Sequence, residues 1–264
     1  MTLTELVDSL VCSYSQEEVM LKHVEYGPDL PVFKKAPKYL FRGERDFYPE
    51  TLSSKDRLVS LTTEQMVEFL DCASTFVAEL AIDVIRPLPQ IGSPDRKSML
   101  NEVHSWVQHY GVPVMSVDLT ADLHVAAFFA SSENTSGRGR IGIVETRKLI
   151  DGHQLLQMDR GFCPRARNQR GYALRMWDEQ PDLKDTTVYP VKWYEFEMRP
   201  SDHVFAERAD LMAPTDDWLL DHVLVHLRRI RATDRGVQEL FDSIRLKLKD
   251  PVVFSGSEQT LKRP

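Results

Sequence analysis

Apolar residues recur every three or four positions in several stretches of the chain, and between those stretches they alternate with polar residues over short runs. The first pattern gives a helix one buried face and the second gives a strand one. Residues 2–26 are predicted helical on their Leu, Val and Met spacing, and 27–37, interrupted by three prolines, are a linker or arm, because proline breaks helices and ladders alike. Lys38 to Arg42 reads as a short strand ending at Gly43. Thr62 and Gln65 have capping-box spacing ahead of a helical stripe, Met66, Phe69, Leu70, Ala73, Phe76, Val77 and Leu80. A second helix starts at Ser93-Pro94, carries Met99, Leu100, Val103, Trp106, Val107 and Tyr110 on one face, and stops at Gly111.

A strand over 114–119 then leads into a helix over 121–131, and Ser136-Gly137-Arg138-Gly139 forms a turn before a strand over 141–146. Further strands are predicted over 172–177 and 187–196. Helical spacing returns with Leu219, Leu220, Val223, Leu224 and Leu227, and again with Val237, Leu240, Phe241, Ile244 and Leu248. Helices at the two ends and strands in the middle predict an α+β fold instead of a regular βαβ winding. The expected organisation is a helix and arm over 1–37, an α+β domain over 38–225, a C-terminal helical extension over 226–250 and a flexible tail over 251–264.

With 264 residues, 42% hydrophobic and 28% charged, the chain is long enough to bury a core without disulfides. Its formal charge of −7 offers no basic excess for a phosphate backbone or an anionic membrane, which disfavours a general nucleic-acid binder. The longest wholly apolar run, Val125 to Ala130, is six residues, so no membrane span is expected. Three cysteines without a CxxC, and an N-terminus lacking a charged cap before an apolar run, predict a reduced, cytoplasmic setting.

Familiar catalytic signatures are missing. His222 and His226 have the i, i+4 spacing of a metal pair but lack the Glu of a zinc protease motif, and no metal site is expected. No nucleophile elbow, phosphate loop or GxGxxG occurs, and the cysteines read as small hydrophobes. What stands out is Gln108-His109-Tyr110-Gly111-Val112-Pro113, then Asp118-Leu119-Thr120, then His124-Val125-Ala126-Ala127-Phe128-Phe129-Ala130. A helix end, a strand with polar side chains and a small-residue helix behind it would set hydroxyl and carboxylate groups at a strand terminus, a common place for a ligand cleft.

Together with Phe41-Arg42-Gly43-Glu44 and the segment Arg165-Ala166-Arg167-Asn168-Gln169-Arg170-Gly171-Tyr172, these motifs resemble the FRG domain family, named for its Phe-Arg-Gly motif. The resemblance covers roughly residues 38–225. Where the family usually carries Pro-Thr-Arg-Leu-Leu-Asp, this chain has Pro113-Val114-Met115-Ser116-Val117-Asp118. The motif order is similar to that of ADP-ribosyltransferases, which implies central β-sheets flanked by helices and NAD as substrate. On that resemblance Arg42, beside Gly43, holds a phosphate or ribose of NAD, Thr120 with Asp118 lies near the nicotinamide ribose, and Tyr110 or Tyr172 stacks on nicotinamide. His109 joins the NAD-binding set, and Gln169 occupies the third motif. The Gln169-Arg170-Gly171 segment lacks a following Glu, and Glu195-Phe196-Glu197 offers a substitute Glu-x-Glu, with Glu197 as the catalytic carboxylate.

Each residue also has a structural reading. Arg42 can pair with an acidic neighbour, Thr120 can cap the helix that follows it, and His109 and Tyr110 can pack a helix end. Gln169 can bind loop backbone, and Glu195 and Glu197 can be edge-strand charges that discourage pairing. Arg138, Arg140, Arg160, Arg165, Arg167 and Arg170 form the one local cationic cluster. The expected activity is ADP-ribosyl transfer from NAD to a protein or nucleic-acid acceptor, by a bacterial toxin or phage-defence effector with an immunity or regulatory partner. The alternatives are a catalytically silent ligand-sensing or protein-interaction module of the same fold and a nuclease or nucleotide hydrolase. The last lacks a compact carboxylate cluster for a metal.

Overall fold

Thr2 opens the first helix with a reciprocal cap: its hydroxyl accepts from Glu5 N–H at 3.2 Å while the Glu5 carboxylate accepts from Thr2 N–H at 2.8 Å. Helix α1 (Leu3–Ser13) buries Leu3, Leu6, Val7 and Leu10 and then ends, because Tyr14 turns extended. The helix predicted over 2–26 is therefore half its expected length. Val19 is buried and Met20 exposed, a period of two, and β1 (Glu18–His23) pairs antiparallel with β2 (Val32–Pro37). The proline-interrupted arm is thus partly a strand, tolerated because Pro37 is its last residue. In the computed structural model the described residues are 1–14, 17–23, 32–56, 58, 60–85, 103–149, 155–158, 163–176, 182–212 and 214–249. The expected start of the second helix at Ser93-Pro94, Arg160 and the tail from Pro251 lie outside them.

The remaining strands are β3 (Tyr39–Glu44), β4 (Ser116–Thr120), β5 (Arg138–Glu145), β6 (Leu155–Gln157), β7 (Gly171–Arg175) and β8 (Val191–Glu197). They form one antiparallel sheet in the order β6-β7-β4-β3-β5-β8, so the α+β expectation holds. Pairing within it is uneven. β3 follows β5 from Tyr39↔Glu145 to Glu44↔Arg140, and β4 follows β7 from Ser116↔Arg175 to Thr120↔Gly171. Between β3 and β4 the single register pair is Phe41↔Thr120. The sheet is two three-stranded halves joined at one point.

Helix α4 (Leu123–Ser131) and α1 cover one face, burying Phe41, Ile141, Ile143 and Phe196 against Leu6, Leu10, Ala126 and Ala130. Leu40, Val144, Leu119, Leu174 and Tyr189 form a second core. A third, helical core joins α2 (Thr63–Ile85), the helical residues 103–108 (α3), α6 (Trp218–Leu227) and α7 (Arg235–Lys249), with Phe69 and Phe241 stacked at 5.3 Å. The capping box at α2 forms as its spacing predicts, Thr62 N–H to Gln65 Oε1 at 3.0 Å and Gln65 N–H to Thr62 Oγ1 at 3.3 Å. The domain boundary expected at 225 falls inside α6. No helix among the described residues is long and apolar enough to cross a membrane.

Asp202 ties α1 to the 3-10 segment Pro200–Ala206. Its side chain accepts from Thr4 N–H at 3.1 Å, Thr4 Oγ1 at 2.6 Å and Arg199 N–H at 2.8 Å. Burial pushes its carboxyl up, and these hydrogen bonds outweigh burial, holding it below the ordinary 3.8. A lowered carboxyl contributes stability that is complete above its unfolded value and is lost as pH falls through the folded one. Asp202→Asn is expected to lower unfolding free energy by about 1–3 kcal/mol at pH 7. That difference should shrink as pH drops below about 4, which urea unfolding at the two pH values measures.

Candidate functional site

Where β3 and β4 part beyond the Phe41↔Thr120 pair, a cleft of about 540 Å³ opens, within the range that holds a small organic ligand. β3 contributes Arg42, Gly43 and Glu44, and β4 contributes Asp118 and Thr120. The end of α4 adds Phe129, Ser132 and Glu133, and Gln169 follows the short helix α5 (Pro164–Asn168).

The Phe-Arg-Gly tripeptide builds this wall by alternation. Phe41 is buried under α4. A methyl group added at Gly43 would stand 1.8 Å from the Ala126 carbonyl oxygen, so the glycine lets helix and strand backbones touch. Arg42, between them, crosses the gap in the sheet: its Nη1 donates to the Asp118 carbonyl at 2.9 Å, replacing a ladder bond the parted strands cannot make. Its Nε lies 3.5 Å from Glu44 Oε1.

Glu44, to which sequence reasoning gave no role, is the electrostatic centre of the cleft. The residue is 3% exposed, accepts from Thr51 Oγ1 at 2.6 Å, pairs with Arg140 Nε at 2.8 Å and lies 3.9 Å from Lys184 Nζ. Burial lowers the affinity of the Lys184 ammonium for its proton, with Arg140 and Arg42 adding to that and Glu44 opposing it. Arg140 was readable as Glu44's partner only once Glu44↔Arg140 was known as a register pair. At the rim, Arg45 bonds Glu133 at 2.5 Å and Tyr48 at 3.2 Å. Glu133 has φ +55, a left-handed conformation that costs a non-glycine residue about 1 kcal/mol.

Thr120 and Gln169 meet here, each with its donor already used. The Thr120 hydroxyl donates to the Gln169 carbonyl at 2.7 Å and accepts from Asp122 N–H at 3.0 Å. Gln169 Nε2 donates to the Leu211 carbonyl at 2.7 Å. Asp118 is different. Its Oδ1 is buried without a hydrogen bond and faces the equally unbonded His109 Nε2 at 3.9 Å. Such buried polar atoms typically cost about 1–3 kcal/mol each.

The other sequence candidates lie elsewhere. Tyr110 is fully buried, its hydroxyl bonded to Asp217 and its ring under Arg165 at 4.5 Å, so no ring face reaches the cleft. Burial pushes its hydroxyl well above 10.0. Tyr172 belongs to the second core. Glu197 is exposed on β8, two strands from β3, and does not line the cleft. The arginine cluster is dispersed into separate pairs, Arg165–Asp217, Arg167–Asp216, Arg140–Glu44 and Arg138–Asp46. Buried Cys163 is held as a thiol, its pKa pushed by burial up to about 12. No metal-binding group occurs among the described residues.

No family model, no curated protein and no solved structure matches this chain. The geometry alone therefore sets two expectations. Gly43→Ala drives a methyl into the α4 backbone and is expected to cost at least about 3 kcal/mol in urea unfolding. Thr120→Val leaves the Gln169 carbonyl and Asp122 N–H unpaired and should cost about 1–3 kcal/mol, while Thr120→Ser stays close to the parent.

Proposed function

We propose that this is an FRG-type, ADP-ribosyltransferase-like protein that takes NAD in the cleft between the two sheet halves. One observation carries the reading: Arg42, Asp118, Thr120 and Gln169, from segments far apart in sequence, line the same cleft. Its volume suits a nucleotide. Arg42 Nη2 has no protein partner among the described residues, and a planar, permanently charged guanidinium is the natural donor to a phosphate. Asp118, its side chain 38% exposed, supplies a carboxylate on the cleft wall.

In the proposed reaction the bond from ribose C1′ to the nicotinamide nitrogen breaks and its electron pair leaves with nicotinamide. The positive charge left on the ribose is stabilised by the Asp118 carboxylate, and a nucleophile of the acceptor attacks C1′ and releases its proton. The acceptor is a protein side chain or a nucleic acid, reached in the cytoplasm by a toxin or phage-defence effector held in check by an immunity or regulatory partner.

A specific observation favours a second reading, a silent ligand sensor with the same cleft. Thr120 Oγ1 and Gln169 Nε2 already donate to backbone carbonyls, and Glu197 stands outside the site. The two readings separate in one experiment. Radiolabelled NAD is incubated with the purified protein, with and without cell lysate, while its effect on Tm is recorded. Transfer predicts nicotinamide release and a raised Tm. Arg42→Lys, which keeps a charge beside Glu44 and loses the fork, should reduce release about tenfold or more with circular dichroism unchanged. A raised Tm without release selects the sensor, and neither effect overturns both.

A further inference from the structure

His109 belongs to the sequence motif yet does not line the cleft; its side chain, 3% exposed, sits behind Asp118. Its backbone is fixed from both sides. The His109 N–H donates to the Trp106 carbonyl at 3.0 Å, and its own carbonyl accepts from Arg165 Nη1 at 3.2 Å. The ring is boxed in against β7, where a methyl group added at Gly171 would reach within 3.5 Å of His109 Cε1. Asp118 is equally fixed in its backbone, paired with Ala173 and bonded through its carbonyl to Arg42.

Only side-chain torsions remain free, and across them His109 Nε2 and Asp118 Oδ1 face each other at 3.9 Å, both buried and both unbonded. That separation is about 1 Å beyond a hydrogen bond, so a small rotation of Asp118 closes it. Asp118's second oxygen has no hydrogen bond among the described residues and belongs to a residue of the cleft wall. An ionised carboxylate only accepts, so the group it meets in the cleft must be a donor, a requirement that sugar hydroxyls meet.

We propose that His109 is a positioning residue whose Nε2–H holds Asp118 Oδ1 and turns the other oxygen toward the hydroxyl pair of a ribose in the cleft. Arg42, bonded to the carbonyl of the same aspartate, sets the phosphate donor next to the diol acceptor. The inference rests on the NAD reading for its ligand but not for the pair itself. Among the described residues, the charged groups around His109 are Asp118, Arg165 on its carbonyl and Asp217 behind Arg165.

The test uses the full chain labelled with ¹⁵N, the His109 ring signals being assigned by their loss in His109→Gln. Asp118→Asn is expected to move the His109 Nε2 resonance, whether or not a ligand is present; an unmoved resonance overturns the pair. With NAD as probe, calorimetry should show about tenfold weaker binding in His109→Ala and recovery to within about threefold in His109→Gln, whose amide also donates. A folded His109→Ala that binds NAD like the parent overturns the proposal. A parent that binds no NAD, with the Asp118→Asn response intact, overturns the NAD reading and leaves the pair standing.

Discussion

The sheet halves meet at a single register pair, Phe41↔Thr120, and the cleft exists because they part beyond it. Parting two strands strands their backbone groups, and buried amides and carbonyls need partners. Arg42 supplies one by donating to the Asp118 carbonyl, so the residue that bridges the split also lines what the split creates. Thr120 supplies the next, through the Gln169 carbonyl, and draws the third segment into the same wall.

Charge holds this arrangement where hydrophobic packing cannot. A carboxylate as buried as Glu44 is tolerable only when paired, and here Arg42, Arg140 and Lys184 converge on it from three segments. Truncating any one cation leaves the others to share a desolvated anion. Arg42 is thereby held through Nη1 by a carbonyl and through Nε by a carboxylate, with Nη2 left toward the cleft.

A second buried network connects the cleft to the helical core. Arg165 bonds Asp217 at 2.8 Å, the His109 carbonyl at 3.2 Å and the face of the Tyr110 ring, while Tyr110 bonds the same aspartate. The Gln-His-Tyr-Gly stretch therefore serves two regions at once. Tyr110 anchors α3 to α6, and its neighbour His109 is delivered to the back of Asp118. The C-terminal helices complete this core, since Leu219, Val223, Val237 and Phe241 pack in one cluster with α2.

The local pattern of the chain determined most of the elements. Apolar period and capping residues placed α2, α4, α6, α7, β3, β4 and β5 within a few positions, because those signals act over one or two turns or a few strand residues. The Asp118-Leu119-Thr120 motif stood out on its own polar residues at a strand end, whereas Phe41-Arg42-Gly43 was singled out by family resemblance, which periodicity does not carry. Period failed at β1, as long as β3, because its Val19 and Leu21 continue the apolar spacing of the helix before it. Only tertiary structure decided which side chains face the cleft. It put Tyr110 and Tyr172 in cores, left Glu197 on an edge, made Glu44 the hub and set His109 behind Asp118. These outcomes depend on strand register and on contacts between segments distant in sequence, which no local pattern encodes.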